Sequence, residues 1–168
     1  RGFPTPWNAF CYFSGLSRIF PSLKLFAGYT ASYLDLEKTH QVDCISGTFF
    51  LVKKEAAEKV GWWDTDYFWN GEDIEFCFNL RKRGFEIYYY PKEYIIHYKG
   101  SSSGLRKRKG VKVSKEIKLM AVESGIQAMR IFYTKHYLKN SSSFSRLLIL
   151  FGILILEKIR LLKIRFDS

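Results

Sequence analysis

The sequence predicts an α/β fold with a short mixed sheet, followed by amphipathic C-terminal helices. Between residues 42 and 100, short segments rich in β-branched and aromatic residues alternate with short helical segments, and Gly or Pro residues separate them. From Val113 onward, apolar residues instead recur in steps of three and four, which is the spacing of one face of a helix. With 168 residues, of which 47% are apolar, the chain has the size of one domain with one core.

The first hundred residues predict several short elements. Residues 1–40 contain three prolines and little periodicity, so loops and short helices are expected there. The predicted strands are 42–54, broken near Gly47, then 85–91 and 93–100. The predicted helices are 55–61 and 72–84, each closed by a glycine. An aromatic loop over 62–71 and a Ser- and Gly-rich loop over 101–110 complete the series.

Two long helices are predicted at the C-terminal end. The first begins near Val113, the segment 140–143 breaks it, and the second runs from about 144 to 166. The second contains ten consecutive apolar residues, 147–156, about half of the ~20 that a membrane span needs. Cations follow this run, which favours a helix lying in a membrane interface. A core helix packed on the domain is the alternative that the pattern leaves open.

The net charge of +11 is unevenly distributed. Residues 1–98 carry 11 Lys and Arg against 12 Asp and Glu, whereas residues 99–168 carry 16 against 4, a net charge of +12. A basic C-terminal part indicates a polyanionic partner such as phosphate groups, nucleic acid or anionic lipid. A solvated charged face is the simpler alternative.

The cysteines indicate the cellular compartment, and the first residues indicate how much of the protein this chain represents. The three cysteines form no CxxC pair and their number is odd, which disfavours a disulfide framework or a zinc site and favours a reducing, cytoplasmic compartment. The chain starts at Arg1 without the architecture of a signal peptide, so we expect it to begin partway through a longer protein.

Asp73 is the strongest candidate for a catalytic residue. On a helical wheel it falls in the middle of the apolar arc of helix 72–84, whereas Glu72 and Glu75 fall outside that arc. An acid on a buried helix face is unusual, and the first turn of a helix favours its ionised form. A carboxylate held there beside a cleft suits a general base. The alternative is capping, with Asn70 as the N-cap and Asp73 three positions later.

His97 is the second isolated polar residue. It follows the apolar segment 94–96 at the predicted end of a strand, near a loop. An imidazole in such a place is a possible metal ligand. A histidine that is merely hydrogen-bonded is the more common case.

The order of motifs over residues 46–100 resembles a known family. A small-residue turn is followed by LVKKEA, VGWWD, an aromatic loop, a Glu-Asp pair, RKRG, YYYP and a strand with a histidine. This order is similar to the C-terminal, acceptor-side half of bacterial inverting GT-A glycosyltransferases of the rhamnosyltransferase and galactofuranosyltransferase type, in glycosyltransferase family 2. FPTPW near the start, and ES followed by KHY, extend the resemblance to about residues 3–140.

The resemblance implies roles for individual residues. Asp73, of the pair Glu72-Asp73, would deprotonate the acceptor hydroxyl, which attacks the anomeric carbon with inversion while the nucleoside diphosphate leaves. His97 would help to hold a divalent metal, Mg²⁺ or Mn²⁺, on the diphosphate. Flat faces for sugar rings would come from Trp62, Trp63 and Trp69, of which at least one is expected in the core. Ser46 and Gly47 would allow the acceptor or donor to approach the backbone.

The loop 101–110 is predicted to be a mobile lid that orders over a nucleotide diphosphate. Its Ser and Gly residues supply flexibility, and Arg106 and Lys107 belong to its run of cations. A closed lid would exclude water and limit hydrolysis of the donor. An ordinary solvated loop is the alternative.

The predicted organisation has three parts: an acceptor-side GT-A half over 1–110, an amphipathic helix over 111–140, and a basic membrane-peripheral tail over 141–168. Members of the resembled family bind the nucleotide through an N-terminal Rossmann-like half that ends in an Asp-x-Asp metal motif. DTD at 64–66 follows LVKKEA and so stands in the wrong place for that motif. We therefore expect a nucleotide-binding half, which holds most of the metal site, upstream of Arg1.

The predicted function is transfer of a sugar from a nucleotide-sugar donor to a glycan or lipid-linked acceptor, in cell-surface polysaccharide synthesis on the inner face of the cell membrane. A non-catalytic, membrane-peripheral basic module that binds anionic lipid is the alternative. A nucleic-acid partner is not expected, because the chain lacks the sequence patterns of the common nucleic-acid-binding modules.

Overall fold

The computed structural model of this chain describes residues 1–97, Ser103, Leu105 and residues 112–166. The helices are α1 (Pro6–Phe13), α2 (Leu16–Ile19), α3 (Lys24–Ala27), α4 (Lys54–Val60), α5 (Glu72–Lys82), α6 (Lys115–His136) and α7 (Ser143–Phe166), with a 3₁₀ turn at Leu138–Asn140. The strands in these ranges are β1 (His40–Val42) and β2 (Ile87–Tyr89). Arg106 and Lys107 of the predicted lid, and the predicted domain boundary at 110, lie outside the described residues.

The chain folds into two compact units. The first consists of residues Arg1–Asp64 and Asp73–Ile95, and the second of Thr65–Glu72 and Ile96–Ser168. Helix α5 therefore has its first residue in the second unit and the rest of its length in the first.

The core of the first unit forms where helices α4 and α5 cover a small sheet. Strands β1 and β2 pair antiparallel, with His40 opposite Tyr89 and Val42 opposite Ile87. The buried residues of this core are Val42, Cys44, Ala56, Ala57, Phe76, Cys77, Leu80 and Ile87. In the described residues the predicted mixed sheet is thus a two-stranded antiparallel one, because no parallel partner strand lies beside it.

Two of the predicted strands were wrong in extent or in kind. The strand expected over 42–54 ends at Val42, and the residues after it are irregular, with Leu51 and Val52 exposed. Residues 93–97, expected as a strand, are also irregular and exposed. Both segments have the composition of a strand, but a strand also needs a neighbour to accept and donate its backbone hydrogen bonds.

The helix ends follow the sequence closely. Gly61 and Gly84 adopt positive φ values of 83° and 84° directly after α4 and after the last turn of α5, a conformation that glycine adopts without steric cost. Helix α1 begins with Pro6 after the cap Thr5, whose hydroxyl accepts a hydrogen bond from the Asn8 amide. The expectation of short helices before residue 40 is confirmed.

Helices α6 and α7 pack against each other in the second unit. Helix α6 is capped by Ser114 and buries Val122, Ile126 and Phe132 along one face, as its sequence periodicity predicts. An ion pair between Arg130 of α6 and Glu157 of α7, 2.6 Å long, joins the two helices. In the described ranges, none of the helices combines the length and the apolar character that crossing a membrane requires.

Helix α7 has two different faces. Ile153 and Ile164 are buried, while ten apolar side chains along the helix are more than 40% exposed. These exposed residues are Phe144, Leu147, Leu148, Leu150, Phe151, Leu154, Ile155, Ile159, Leu162 and Phe166. The helix therefore packs within its unit, as a core helix does. It also presents an apolar surface, as a helix in a membrane interface does.

Candidate functional site

Asp73 lies in the first turn of α5, and its side chain is largely removed from solvent. The residue is 8% exposed, as the helical wheel predicted. Its Oδ2 accepts a hydrogen bond from the Arg1 guanidinium at 2.5 Å and another from the Gly47 backbone amide at 3.1 Å. Its Oδ1 accepts a bond from the Ile74 amide at 2.8 Å. The carboxylate is thus held by three donors at the positive end of a helix.

Arg1 reaches Asp73 because residues 1–3 are held between two other segments. Arg1 and Cys44 exchange backbone hydrogen bonds of 2.9 and 3.0 Å, and the Gly2 amide donates to the Tyr29 carbonyl at 3.1 Å. Burial lowers the pKa of the Arg1 guanidinium, but Asp73, Tyr29 and Cys44 together outweigh burial, and the pKa is raised. Arg1 is therefore a permanent cation beside the candidate base.

Gly2 is the residue on which this arrangement depends most directly. A Cβ at residue 2 would lie 2.2 Å from the Gly28 carbonyl oxygen, a backbone atom that no side-chain rotation can move away. We expect Gly2→Ala to destabilise the first unit by about 1–3 kcal/mol, measured by urea unfolding. Gly152→Ala is the control, because an added Cβ there meets nothing within 4 Å, and it should be neutral or slightly stabilising. Equal stability of both variants would contradict this packing of residues 1–3.

Ser46 and Gly47 form the exposed turn beside Asp73. The Ser46 hydroxyl lies 3.1 Å from the Thr48 hydroxyl, and both residues are solvent-exposed. Because the Gly47 amide bonds the carboxylate, this turn and Asp73 form one polar cluster that is accessible from the Ser46 side. The structure therefore brings together three of the predicted site residues, Ser46, Gly47 and Asp73.

The three tryptophans lie in different surroundings. Trp63 stacks on the core residue Phe76 with ring centroids 4.6 Å apart, yet it stays 42% exposed. Trp62, with a φ of 62°, is 47% exposed. Trp69 belongs to the second unit and is half-buried. None of the three is fully buried, although Trp63 packs on the core with one face, which leaves Trp62 and Trp63 with surface available to a ligand.

Glu72 and Glu75 differ from each other. Glu72, the predicted partner of Asp73, is half-buried and belongs to the second unit. The prediction that Glu75 lies outside the buried arc was wrong, because Glu75 is only 2% exposed. Its Oε1 accepts a hydrogen bond from the Asn79 side chain one turn later at 3.1 Å, and such a bond lowers the cost of burial.

His97 is exposed and follows an irregular segment instead of ending a strand. It belongs to the second unit and Asp73 to the first, and its assignment as a metal ligand stays a prediction. Within residues 1–97 and 112–166, no group of three or more His, Cys, Asp and Glu side chains is arranged to hold a metal ion. These residues therefore do not form a metal site by themselves.

The three cysteines are buried thiols. Cys11, Cys44 and Cys77 are free and buried. Burial raises the pKa of Cys44, and it raises that of Cys77 to about 12, so both thiols keep their protons at neutral pH. Asp73, in contrast, is a held carboxylate next to an open turn. Such a group can accept a proton from a hydroxyl that enters beside Ser46 and Gly47.

Arg1 is the residue of this cluster that sequence reasoning missed. It stands 72 positions before Asp73, and a lone basic residue at that distance carries no local signal. The Gly47 amide was also not predicted as a donor to the carboxylate, although Gly47 itself was predicted to be part of the site.

Comparisons with known proteins agree on one family. The family model described as "Glycosyltransferase like family 2" matches residues 25–111, just over half of the chain. Among curated proteins, the chain is 48% identical over 50 residues to the poly-β-1,6-N-acetyl-D-glucosamine synthases of Staphylococcus aureus strains COL, MSSA476 and MRSA252. The match covers 30% of this chain and spans 12% of the length of those relatives. No solved structure matches the chain.

Proposed function

Because the chain belongs to the glycosyltransferase-like family 2, we propose that it is the acceptor-side half of an inverting GT-A enzyme. The enzyme transfers a sugar from a nucleotide-diphosphate donor to a glycan or lipid-linked acceptor. The observation that carries the proposal is the Asp73 carboxylate, buried at a helix N-terminus and held by Arg1 and the Gly47 amide. The name of the staphylococcal relatives supports a role in polysaccharide synthesis.

In the proposed reaction, Asp73 is the general base. Its carboxylate takes the proton of the acceptor hydroxyl, and the hydroxyl oxygen forms a bond to the anomeric carbon of the donor sugar. The bond between that carbon and the diphosphate oxygen breaks at the same time, and the nucleoside diphosphate leaves with its electron pair. The attack comes from the face opposite the leaving group, so the configuration at the anomeric carbon is inverted.

The neighbours of Asp73 have separate tasks. The Arg1 guanidinium and the Gly47 amide both donate to Oδ2 and fix the orientation of the carboxylate. Trp62 and Trp63 offer partly exposed rings on which a sugar ring can stack. Glu72 precedes the base in the Glu-Asp pair and is proposed as a second residue of the catalytic site.

The proposal assigns the donor side of the reaction mainly to a nucleotide-binding half. The proposal assigns His97 to a divalent metal, Mg²⁺ or Mn²⁺, whose other ligands come from a nucleotide-binding half. The metal would neutralise the charge of the leaving diphosphate. Arg106 and Lys107 are assigned to the same diphosphate through the loop 101–110.

The exposed apolar face of α7 supports a membrane surface as a partner. Ten apolar side chains lie open along a helix that also carries Lys158, Lys163 and Arg165. This combination suits the boundary between lipid head groups and acyl chains. The proposed place of the enzyme is therefore the cytoplasmic face of the cell membrane, where it would meet a lipid-linked acceptor. The same face would serve the alternative function, a non-catalytic module that binds anionic lipid.

Product analysis tests the proposed reaction. An enzyme that joins this chain to a nucleotide-binding half is incubated with a panel of nucleotide sugars and glycan acceptors. We expect release of the nucleoside diphosphate and a new glycosidic bond whose anomeric configuration, read by NMR, is opposite to that of the donor. Retention of configuration would reject an inverting mechanism. Vesicle binding without any transfer across the panel would favour the non-catalytic module.

A further inference from the structure

A cavity of about 330 Å³ lies within the second unit. The aromatic loop before α5 forms one wall, helix α6 forms the other, and Glu157 of α7 also lines it. Its volume is at the lower end of the range of small-molecule sites, roughly 300–1,000 Å³. Among the described residues, none of those predicted for the catalytic site lines this cavity.

An ion pair, a hydrogen bond and one close backbone approach hold the aromatic loop against α6. Asp66 forms an ion pair of 2.6 Å with Lys135, and the Asn70 side-chain amide donates to the Ser124 hydroxyl at 3.3 Å. Gly71 has a φ of 94°, and a Cβ there would lie 2.8 Å from the Ala128 side chain. Only glycine allows the loop to approach the helix this closely. The cavity is therefore shaped by specific contacts.

The walls combine flat apolar faces with short polar side chains. Phe68 is 79% exposed and so leaves its ring open to a ligand. Asn70, Ser124 and Gln127 supply amide and hydroxyl groups, which can both donate and accept hydrogen bonds. Sugar rings present a patch of C–H groups on a face and hydroxyls around the edge. Aromatic rings and polar groups in this arrangement suit both features.

The charges of the cavity disfavour a diphosphate as its ligand. Three of the described lining residues are carboxylates, Asp66, Glu123 and Glu157. Asp66 is paired with Lys135 and Glu157 with Arg130, so negative charge exceeds positive charge even when both ion pairs are counted. A diphosphate would be repelled by such a site. A carboxylate is, in contrast, a strong acceptor for sugar hydroxyls.

We propose that this cavity binds one sugar ring of a glycan. The inference rests on the proposed function and names the glycan as a chain of uncharged sugar rings. The loop that forms the cavity runs directly into Glu72 and Asp73.

The first test measures carbohydrate binding by the whole chain, without catalysis. Tetrasaccharides of glucose, N-acetylglucosamine, galactose and rhamnose are titrated and followed by NMR of the protein. We expect at least one to bind, with shifts at residues of the cavity, and Gln127→Trp to weaken it by at least about tenfold by filling the space. Thr134→Trp, two turns further on the same face of α6, should bind like the wild type. Binding of none of the four, or equal binding by Gln127→Trp, overturns the proposal.

A second variant tests the proposal even if Gln127→Trp does not fold. Glu123 is exposed, so Glu123→Gln should keep the fold, shown by an unchanged melting temperature, and should still weaken binding because a charged acceptor is lost. Uridine diphosphate is the opposing probe. It should cause no shifts at the cavity, and saturation of the cavity by uridine diphosphate would contradict the proposal.

Different results would reject the sugar site in the cavity and the proposed function. If Asp73→Asn abolishes transfer while Gln127→Trp keeps both binding and the acceptor KM, the pocket is rejected and the function stands. If the tetrasaccharides bind and Gln127→Trp weakens them, but Asp73→Asn transfers normally, the base assignment is rejected and the pocket stands.

Discussion

Replacing Asp73 with asparagine is expected to lower the rate of sugar transfer by ~10²–10⁴-fold, the typical loss when a general base is removed. Asparagine has nearly the same shape as aspartate and can still accept a hydrogen bond from the Gly47 amide, but its amide does not take a proton from a hydroxyl. The rate is measured in the enzyme that joins this chain to a nucleotide-binding half, with saturating donor and acceptor. Near wild-type turnover would rule out Asp73 as the base.

Two controls separate catalysis from stability. Asp73→Asn also removes the partner of Arg1, so the melting temperature is measured beside the rate, and a folded but inactive variant is the expected result. Glu58→Gln removes an exposed carboxylate from the same unit and should leave transfer unchanged. Glu72→Gln tests the other member of the Glu-Asp pair, and a smaller loss than in Asp73→Asn is expected.

Replacing three exposed apolar residues of α7 by serine is expected to lower vesicle binding by about 100-fold. Phe151, Ile155 and Leu162 lie on one stripe of the helix and are 57%, 41% and 51% exposed. If each side chain contributes about 1 kcal/mol in the interface, less than the ~1.5–3 kcal/mol of full burial, the triple variant loses roughly 3 kcal/mol. Co-sedimentation with vesicles that contain phosphatidylserine measures the change.

A matched variant elsewhere controls for lost hydrophobicity. Leu25, Leu36 and Leu51 are also exposed but belong to the first unit, and their triple replacement by serine should leave vesicle binding unchanged. Binding of the wild type should require anionic lipid and weaken as salt rises, because Lys158, Lys163 and Arg165 contribute ~1 kcal/mol each near a charged surface. A chain that shows no affinity for vesicles, or binds neutral ones equally well, would contradict the interfacial role of α7.

The sequence alone predicted the features that depend on neighbouring residues. Glycines after α4 and α5, the helical spacing of α6 and the break before α7 each act over one or two turns, so their positions could be predicted to within a few residues. The wheel also placed Asp73 on the buried face of α5. These features are local, and local sterics and hydrogen bonding decide them.

Tertiary structure decided the rest. Residues 43–53 have the composition of a strand but no partner strand in the described fold, and Glu75 is buried although the wheel placed it outside the apolar arc. The Asp73 cluster needs Arg1, 72 residues away, and the cavity beside the aromatic loop needs Ser124, 54 residues after Asn70. Such contacts arise only when packing closes long loops of chain, and a pattern of neighbouring residues does not contain that information.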